Sequence, residues 1–180
     1  MEEPWMLDDP ARLKALAHPM RQQMLRHLEV HGPATSTTLG DLLGAKTGTT
    51  SYHLRQLEKY GFIEEIPERS AGRERWWRRS GPGDIRLPTP DQLPPEGRDA
   101  LMAFHRVALE EDRQLLDSLP AAYAADPDWV LASRGLAWLT KAEVREFFDD
   151  YMRLLRAYQE RRTEGSRPVQ LRFFTVPADD

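Results

Sequence analysis

The sequence contains no cysteine. Disulfides, thiolate zinc sites, iron-sulfur clusters and cysteine nucleophiles are therefore excluded, and any metal would have to rest on five histidines and the carboxylates. Long apolar runs are missing too. No stretch approaches the roughly 18 apolar residues that a bilayer crossing needs, so no membrane partner is expected. The opening Met1-Glu2-Glu3-Pro4 is acidic where a secretory signal would be basic, which predicts a cytoplasmic location. There is no Gly-rich phosphate loop, no His-Glu-x-x-His and no Gly-x-Ser-x-Gly, and Glu64-Glu65 falls on a predicted strand instead of a cleft. Neither catalysis nor a cofactor is expected. Fixed-period repeats and low-complexity tracts are also lacking.

The chain has 180 residues, 40% hydrophobic and 30% charged, enough for one domain of ordinary size or two small ones. Its net charge of −4 hides an uneven distribution. Residues 11–80 hold 12 Lys and Arg against 7 Asp and Glu, whereas residues 1–10 and 81–180 are both acidic. A basic segment between acidic ones fits an anion-binding module joined to something that does not bind anions. Between Gly81 and Gly97, five prolines (82, 88, 90, 94 and 95) oppose helix and central strand alike. The domain boundary is placed there: an N-terminal anion-binding domain over 1–80, a Pro/Gly-rich linker over 81–97, and a C-terminal region over 98–180.

Upstream of the boundary the pattern predicts four helices and a hairpin. The first covers 10–16. The second starts at His18-Pro19, keeps Met20, Met24, Leu25 and Leu28 on one face, and stops at Gly32-Pro33. Ser36 or Thr37 caps the third, which Gly44 ends. The fourth runs over about 46–60, before Gly61. Residues 62–66 and 75–78 then read as two strands around a turn at 70–73. Helices followed by a basic hairpin make a winged helix-turn-helix.

At 100° per residue, Thr50, Leu54 and Leu57 share the face of the fourth helix that must be buried. Gly48, Tyr52, Arg55 and Lys59 point away, with Thr49 and Gln56 on the flank. Hydroxyl, amide, phenol and cationic groups near a helix N-terminus suit DNA: Thr and Tyr reach base edges or thymine methyls, while Lys46 and Arg55 neutralise phosphates. The helix, about 20 Å long and about 10 to 12 Å across, fits a major groove. Gly48 lets the backbone come close. Arg69, Arg73, Arg75, Arg78 and Arg79 gather around the hairpin, where a wing would lie along the phosphate backbone or reach into a minor groove. Basic residues also discourage sheet-to-sheet association of an edge strand, so both readings of these arginines stand. Trp76 and Trp77 take opposite faces, one anchoring the wing on the core.

Leu13-Lys14-Ala15-Leu16-Ala17-His18-Pro19-Met20-Arg21, together with Ser51-Tyr52-His53-Leu54-Arg55-Gln56-Leu57-Glu58-Lys59-Tyr60-Gly61-Phe62-Ile63, resembles the ArsR family of bacterial winged-helix transcriptional regulators over roughly residues 11–80. The resemblance implies a homodimer that binds a palindromic operator on double-stranded DNA, usually as a repressor, with release by an inducer. Carried over by position, it makes Thr47, Thr49 and Tyr52 base-reading residues and His53 a structural one. Metal sensors of that family commonly place cysteines on or near the recognition helix, so their chemistry is excluded here. A second type of family site uses Asp and His on the C-terminal dimer helix. His105 and Asp112 share a face but lie two turns apart, too far to chelate one ion comfortably. His27 and His31, spaced i, i+4, read as a solvated helix end.

The C-terminal hundred residues predict a helix over 96–119 with Leu101, Phe104, Ala108, Leu115 and Leu119 in an apolar stripe, ended by Pro120. A strand is expected at 136–139, then a Thr140-x-x-Glu143 capping box opening a strongly amphipathic helix. Val144, Phe147, Phe148, Tyr151, Leu154, Leu155 and Tyr158 fall on its apolar face. Residues 168–176 alternate as a second strand. The fold class is thus mainly α with small β, an N-terminal winged helix-turn-helix followed by a helical or α+β dimerisation or effector region. The aromatic stripe fits an internal core, a dimer seam, or the wall of a pocket for a small organic effector lined by Trp129, Trp138, Phe147, Phe148 and Tyr151. The competing function is a winged helix used for protein contact or single-stranded nucleic acid, with the wing tryptophans as docking surface.

Overall fold

Proline at helix starts and glycine at helix ends divide the first half of the chain into the elements expected. The computed structural model describes residues 5–70, 72, 74–81, 85–161 and 163–178. After a two-residue strand, β1 (Trp5–Met6), Asp9 caps helix α1 (Pro10–Leu16) by accepting from the Ala11 amide. Helix α2 (Pro19–His31) follows, then β2 (Ala34–Thr35) and α3 (Ser36–Leu43). The cap of α3 is Thr35, one residue before the expected pair, and its hydroxyl accepts from the Thr38 amide. Gly44 ends α3 in the left-handed conformation at φ 61°, where a side chain would be strained. Helix α4 (Thr47–Lys59) leads into β3 (Ile63–Glu65) and β4 (Trp76–Arg79).

The wing sheet has the order β2-β4-β3, all antiparallel, with Ala34 opposite Trp77 and Glu64 opposite Arg78. Beside it, β1 pairs in parallel with β5 (Ile85–Arg86), and Leu7 donates on to the Arg86 carbonyl at 2.8 Å. Met24, Leu28, Leu39, Leu54, Leu57, Phe62, Ile63 and Trp77 are buried in one core between the helices and the wing. Helix α5 (Pro95–Ala125) joins that core through Gly97, Ala100 and Leu101, packing on α1. An Arg26–Glu111 ion pair ties α5 to α2. The chain falls into two compact units, Met1–Val130 and Leu131–Asp180. The division thus lies after Val130, while the segment over 81–97 contributes β5, a 3-10 turn and the buried Leu93 to the first unit.

Three local expectations are corrected. Pro120 does not end the helix; α5 continues to Ala125. Proline removes one N–H, and on an exposed stretch the carbonyl it frees meets water. Residues 136–139 and 168–176 are not strands: among the described residues of the second unit the only regular element is α6 (Lys141–Gln159). Alternation gives an extended chain two faces, but a strand also needs a partner for its ladder. Here Phe173 lies against α6 instead, stacked on Tyr151 at 4.7 Å and on Phe147 at 5.7 Å. The Thr140–Glu143 capping box forms as expected, with the Thr140 amide donating to Glu143 Oε2 at 2.7 Å. That bond from the Thr140 backbone, with the one to its side chain, holds the Glu143 carboxyl below its ordinary pKa.

Candidate nucleic-acid interface

Helix α4 is fixed from behind. Thr50, 0% exposed, donates its hydroxyl proton to the Ser36 or Thr47 carbonyl at 2.8 or 2.9 Å, which links α4 to the start of α3. Leu54 and Leu57 fill the core beside it, and His53 is 6% exposed. The turn between α3 and α4 is as tight as backbone allows: a Cβ on Gly40 would sit 2.8 Å from the Ala45 carbonyl oxygen. Gly40 also accepts from the Ala45 amide at 2.9 Å. With one face sealed, the opposite face of α4 has to meet solvent or a ligand.

That opposite face carries the residues expected. Lys46 is the N-cap residue and exposed, as are Thr47, Gly48 and Thr49 in the first turn. Tyr52 is 56% exposed, one turn further on, and Arg55 follows it; Gln56 is half-buried on the flank. Nothing stands within 4 Å of a Cβ built on Gly48, so a ligand backbone has room to approach. Lys46, Thr47, Gly48 and Thr49 stand at the N-terminus of α4, where first-turn amides and the positive end of the helix dipole suit phosphate.

The wing is less cationic than its arginine count implies. Arg75 faces Glu65 at 3.5 Å and Arg78 faces Glu64 at 2.6 Å, both across or beside the strand pair. Arg79 is structural: its guanidinium donates to the carbonyls of Phe62 at 2.8 Å and Ser80 at 3.3 Å, and burial lowers its pKa against the opposing pull of Glu29. Arg69 is exposed and lies over Trp76 at 5.7 Å. Arg73 lies outside the described residues. Trp77, 3% exposed, anchors the wing, and Trp76 is half-buried under Arg69, so the pair does not offer an open docking surface.

Sequence reasoning missed the support behind Tyr52. Arg21 donates to the Lys14 carbonyl at 2.9 Å and to the Ala15 carbonyl, and points its other terminal nitrogen at His53 Nδ1, 3.4 Å away. His18 caps α2, its Nδ1 accepting from the Met20 amide at 3.2 Å, and its ring is 4.3 Å from that of His53. Burial lowers the pKa of both imidazoles. Arg21 adds to the effect on His18, and His18 and Arg21 add to it on His53. Burial also lowers the Arg21 guanidinium, partly offset by Tyr52 and Tyr60. The signal available in sequence was the His18-Pro19 start of α2, where an acceptor at the cap is needed and a histidine supplies it.

In the second unit, Phe147, Phe148 and Tyr151 gather around Phe173, while Trp138 is 89% exposed. Trp129 belongs to the first unit. No three His, Asp or Glu side chains converge as a metal site among the described residues, and the rings of His27 and His31 lie 4.7 Å apart, tilted to each other. No helix among those residues is long and apolar enough to cross a membrane.

Residues 16–66 match the profile of a helix-turn-helix domain. No curated protein sequence matches the chain. Among solved structures it is similar to reduced HlyU from Vibrio cholerae, at 21% identity over 54% of this chain and 84% of that one, with a TM-score of 0.35. It is also similar to the transcriptional regulator Tm0710 from Thermotoga maritima, at 15% identity over 80% and 77% with a TM-score of 0.33. The haem sensor protein PefR from Streptococcus agalactiae gives 17% identity over 84% and 82%, TM-score 0.34. The profile match and the geometry of α2 to β4 agree that the N-terminal part of this chain is a winged helix-turn-helix domain.

Proposed function

We propose that the protein is a sequence-specific regulator of transcription that binds double-stranded DNA, in the manner of ArsR-type winged-helix repressors, and that α4 is its recognition helix. The observation that carries this is the division of α4 into a sealed face, Thr50, His53, Leu54 and Leu57, and an open one, Lys46, Thr47, Gly48, Thr49, Tyr52 and Arg55. A helix held so firmly from behind presents its polar face in one orientation. In this reading Thr47, Thr49, Tyr52 and Gln56 meet base edges, and Lys46 and Arg55 meet phosphates. Arg69, Arg73 and Arg75 serve the wing.

The protein acts as a homodimer on an inverted repeat. Support for self-association comes from α5, where Met102, Leu109, Leu116 and Tyr123 recur every seven residues and are all exposed. A seven-residue apolar period is the repeat by which helices pair along a seam. The C-terminal unit, with Phe147, Phe148 and Tyr151 clustered beside Phe173, receives a small apolar effector that releases the operator; Trp138, in the same unit, would report its binding by fluorescence. Selecting bound duplexes from a random pool tests the central reading. Two inverted half-sites about one helical turn apart are expected. Enrichment of no sequence, or of single strands over duplexes, would overturn it.

A further inference from the structure

The rings of His18 and His53 lie 4.3 Å apart, tilted by 48°, behind the proposed recognition helix, and each already uses Nδ1 as an acceptor. Arginine nitrogens only donate, so the Arg21–His53 contact fixes Nδ1 of His53 as the acceptor and leaves its proton on Nε2. At His18 the donor is a backbone amide in the first turn of α2, which likewise requires a bare Nδ1. Both bonds exist only while the rings are neutral.

We propose that His18, Arg21 and His53 form an acid-labile clamp that holds α4 in its DNA-competent setting and lets go when either imidazole takes up a proton. The inference rests on α4 being the recognition helix. Protonated His53 cannot accept from Arg21 and becomes a second cation 3.4 Å from it. Protonated His18 loses its cap bond to Met20 and places a positive charge at the positive end of the α2 dipole. Arg21 cannot swing aside cheaply, because its other nitrogens hold the Lys14 and Ala15 carbonyls at the end of α1, next to the Leu16 carbonyl held by Gln22 at 2.7 Å. Relief therefore has to come from α4. The groups facing the cluster are Arg21 from α2, Tyr52 from α4, edge-on to His53 at 5.2 Å, and Tyr60 just after α4, which acts on Arg21. The depressed pKa values of both histidines agree with the geometry.

The direction of the effect separates this clamp from general electrostatics. Acidification makes a protein more cationic overall, which by itself strengthens binding to a polyanion. The clamp predicts the reverse. In fluorescence anisotropy with a selected duplex at fixed salt, wild-type affinity should fall about fivefold or more between pH 7.5 and 5.5, as the competent fraction falls. The variant His18→Asn/His53→Asn keeps an acceptor at each Nδ1 position and has nothing to titrate; its affinity should hold steady or rise. Chemical unfolding without DNA gives an independent reading. A histidine whose pKa is lower folded than unfolded contributes stability that is present above the unfolded value of about 6.5 and is lost as pH falls through that value toward the folded one. Wild-type should lose stability in that window and the variant should lose less. If the double variant does not fold, His18→Asn alone, with asparagine a strong cap residue, should remove part of the same loss. Parallel pH profiles for wild-type and variant, or a wild-type affinity that rises on acidification, would overturn the clamp. A pH-dependent loss of stability confined to wild-type, in a protein that binds no duplex at any pH, would keep the clamp and refute the DNA reading.

Discussion

Replacing Gly40 with alanine sets helix propensity against packing. Gly40 lies inside α3, and an interior Gly→Ala change favours the helix by up to about 1 kcal/mol. The added Cβ, however, would sit 2.8 Å from the Ala45 carbonyl oxygen, where ordinary contact begins at 3.4 Å. That oxygen is backbone and cannot rotate away, and the same turn is tied by the Ala45 amide to the Gly40 carbonyl. The overlap is relieved only if α3 and α4 separate by several tenths of an ångström, loosening the Thr50 bond to Ser36. Overpacking costs about 1 to 3 kcal/mol, and contact with a fixed backbone oxygen falls in the upper half of that range, so after the helix gain of up to about 1 kcal/mol the net change should be a loss of about 1 to 2 kcal/mol. For a unit of this size that is a fall of roughly 3 to 10 °C in Tm, readable by differential scanning calorimetry. Gly48→Ala is the paired control. Nothing lies within 4 Å of its Cβ, so it should be neutral or stabilise by about 0.5 kcal/mol, yet weaken duplex binding about tenfold if DNA approaches the α4 backbone there. A Gly40→Ala protein as stable as wild-type, or a Gly48→Ala protein with undiminished affinity, would refute the reasoning.

Leu116→Glu puts a charge in the middle of the exposed seven-residue stripe of α5 and should convert the proposed dimer to monomer in sedimentation velocity without unfolding the first unit; an unchanged sedimentation coefficient would remove α5 as the seam. Glu64→Gln together with Glu65→Gln frees Arg78 and Arg75 from their ion pairs, so duplex affinity should rise and its salt dependence steepen, while an unchanged salt slope would place the wing away from the phosphates.

How much was legible in the sequence follows from how local each signal is. Helices α1 to α4 begin and end within a residue or two of expectation because proline, a capping side chain and glycine act on the backbone next to them. The sealed and open faces of α4 were legible for a similar reason, since a 13-residue helix buries whatever stripe is apolar. Strand pairing is less local: the β3–β4 hairpin was legible because its two strands are near in sequence, but elsewhere the reading failed in both directions. Ala34–Thr35 and Trp5–Met6 are strands of two residues that exist only because β4 and β5 come alongside. The alternating 168–176 run finds no partner strand among the described residues, and its Phe173 settles on the aromatic face of α6. The wing arginines were counted as five cations, but strand register sets Glu64 and Glu65 against two of them and turns a third inward. The His18–Arg21–His53 cluster joins residues 32 positions apart and could be read only from coordinates.

The most direct measurement is the salt dependence of duplex binding for wild-type, Lys46→Ala and Arg55→Ala, by anisotropy with a selected site. If α4 lies in the groove with both cations on phosphates, each substitution should reduce the slope of log K against log salt by about one per protomer, or about two for a dimer. Tyr52→Ala should instead change which site is preferred and leave the slope alone. Slopes identical to wild-type in both charge variants would contradict the placement of α4 on DNA.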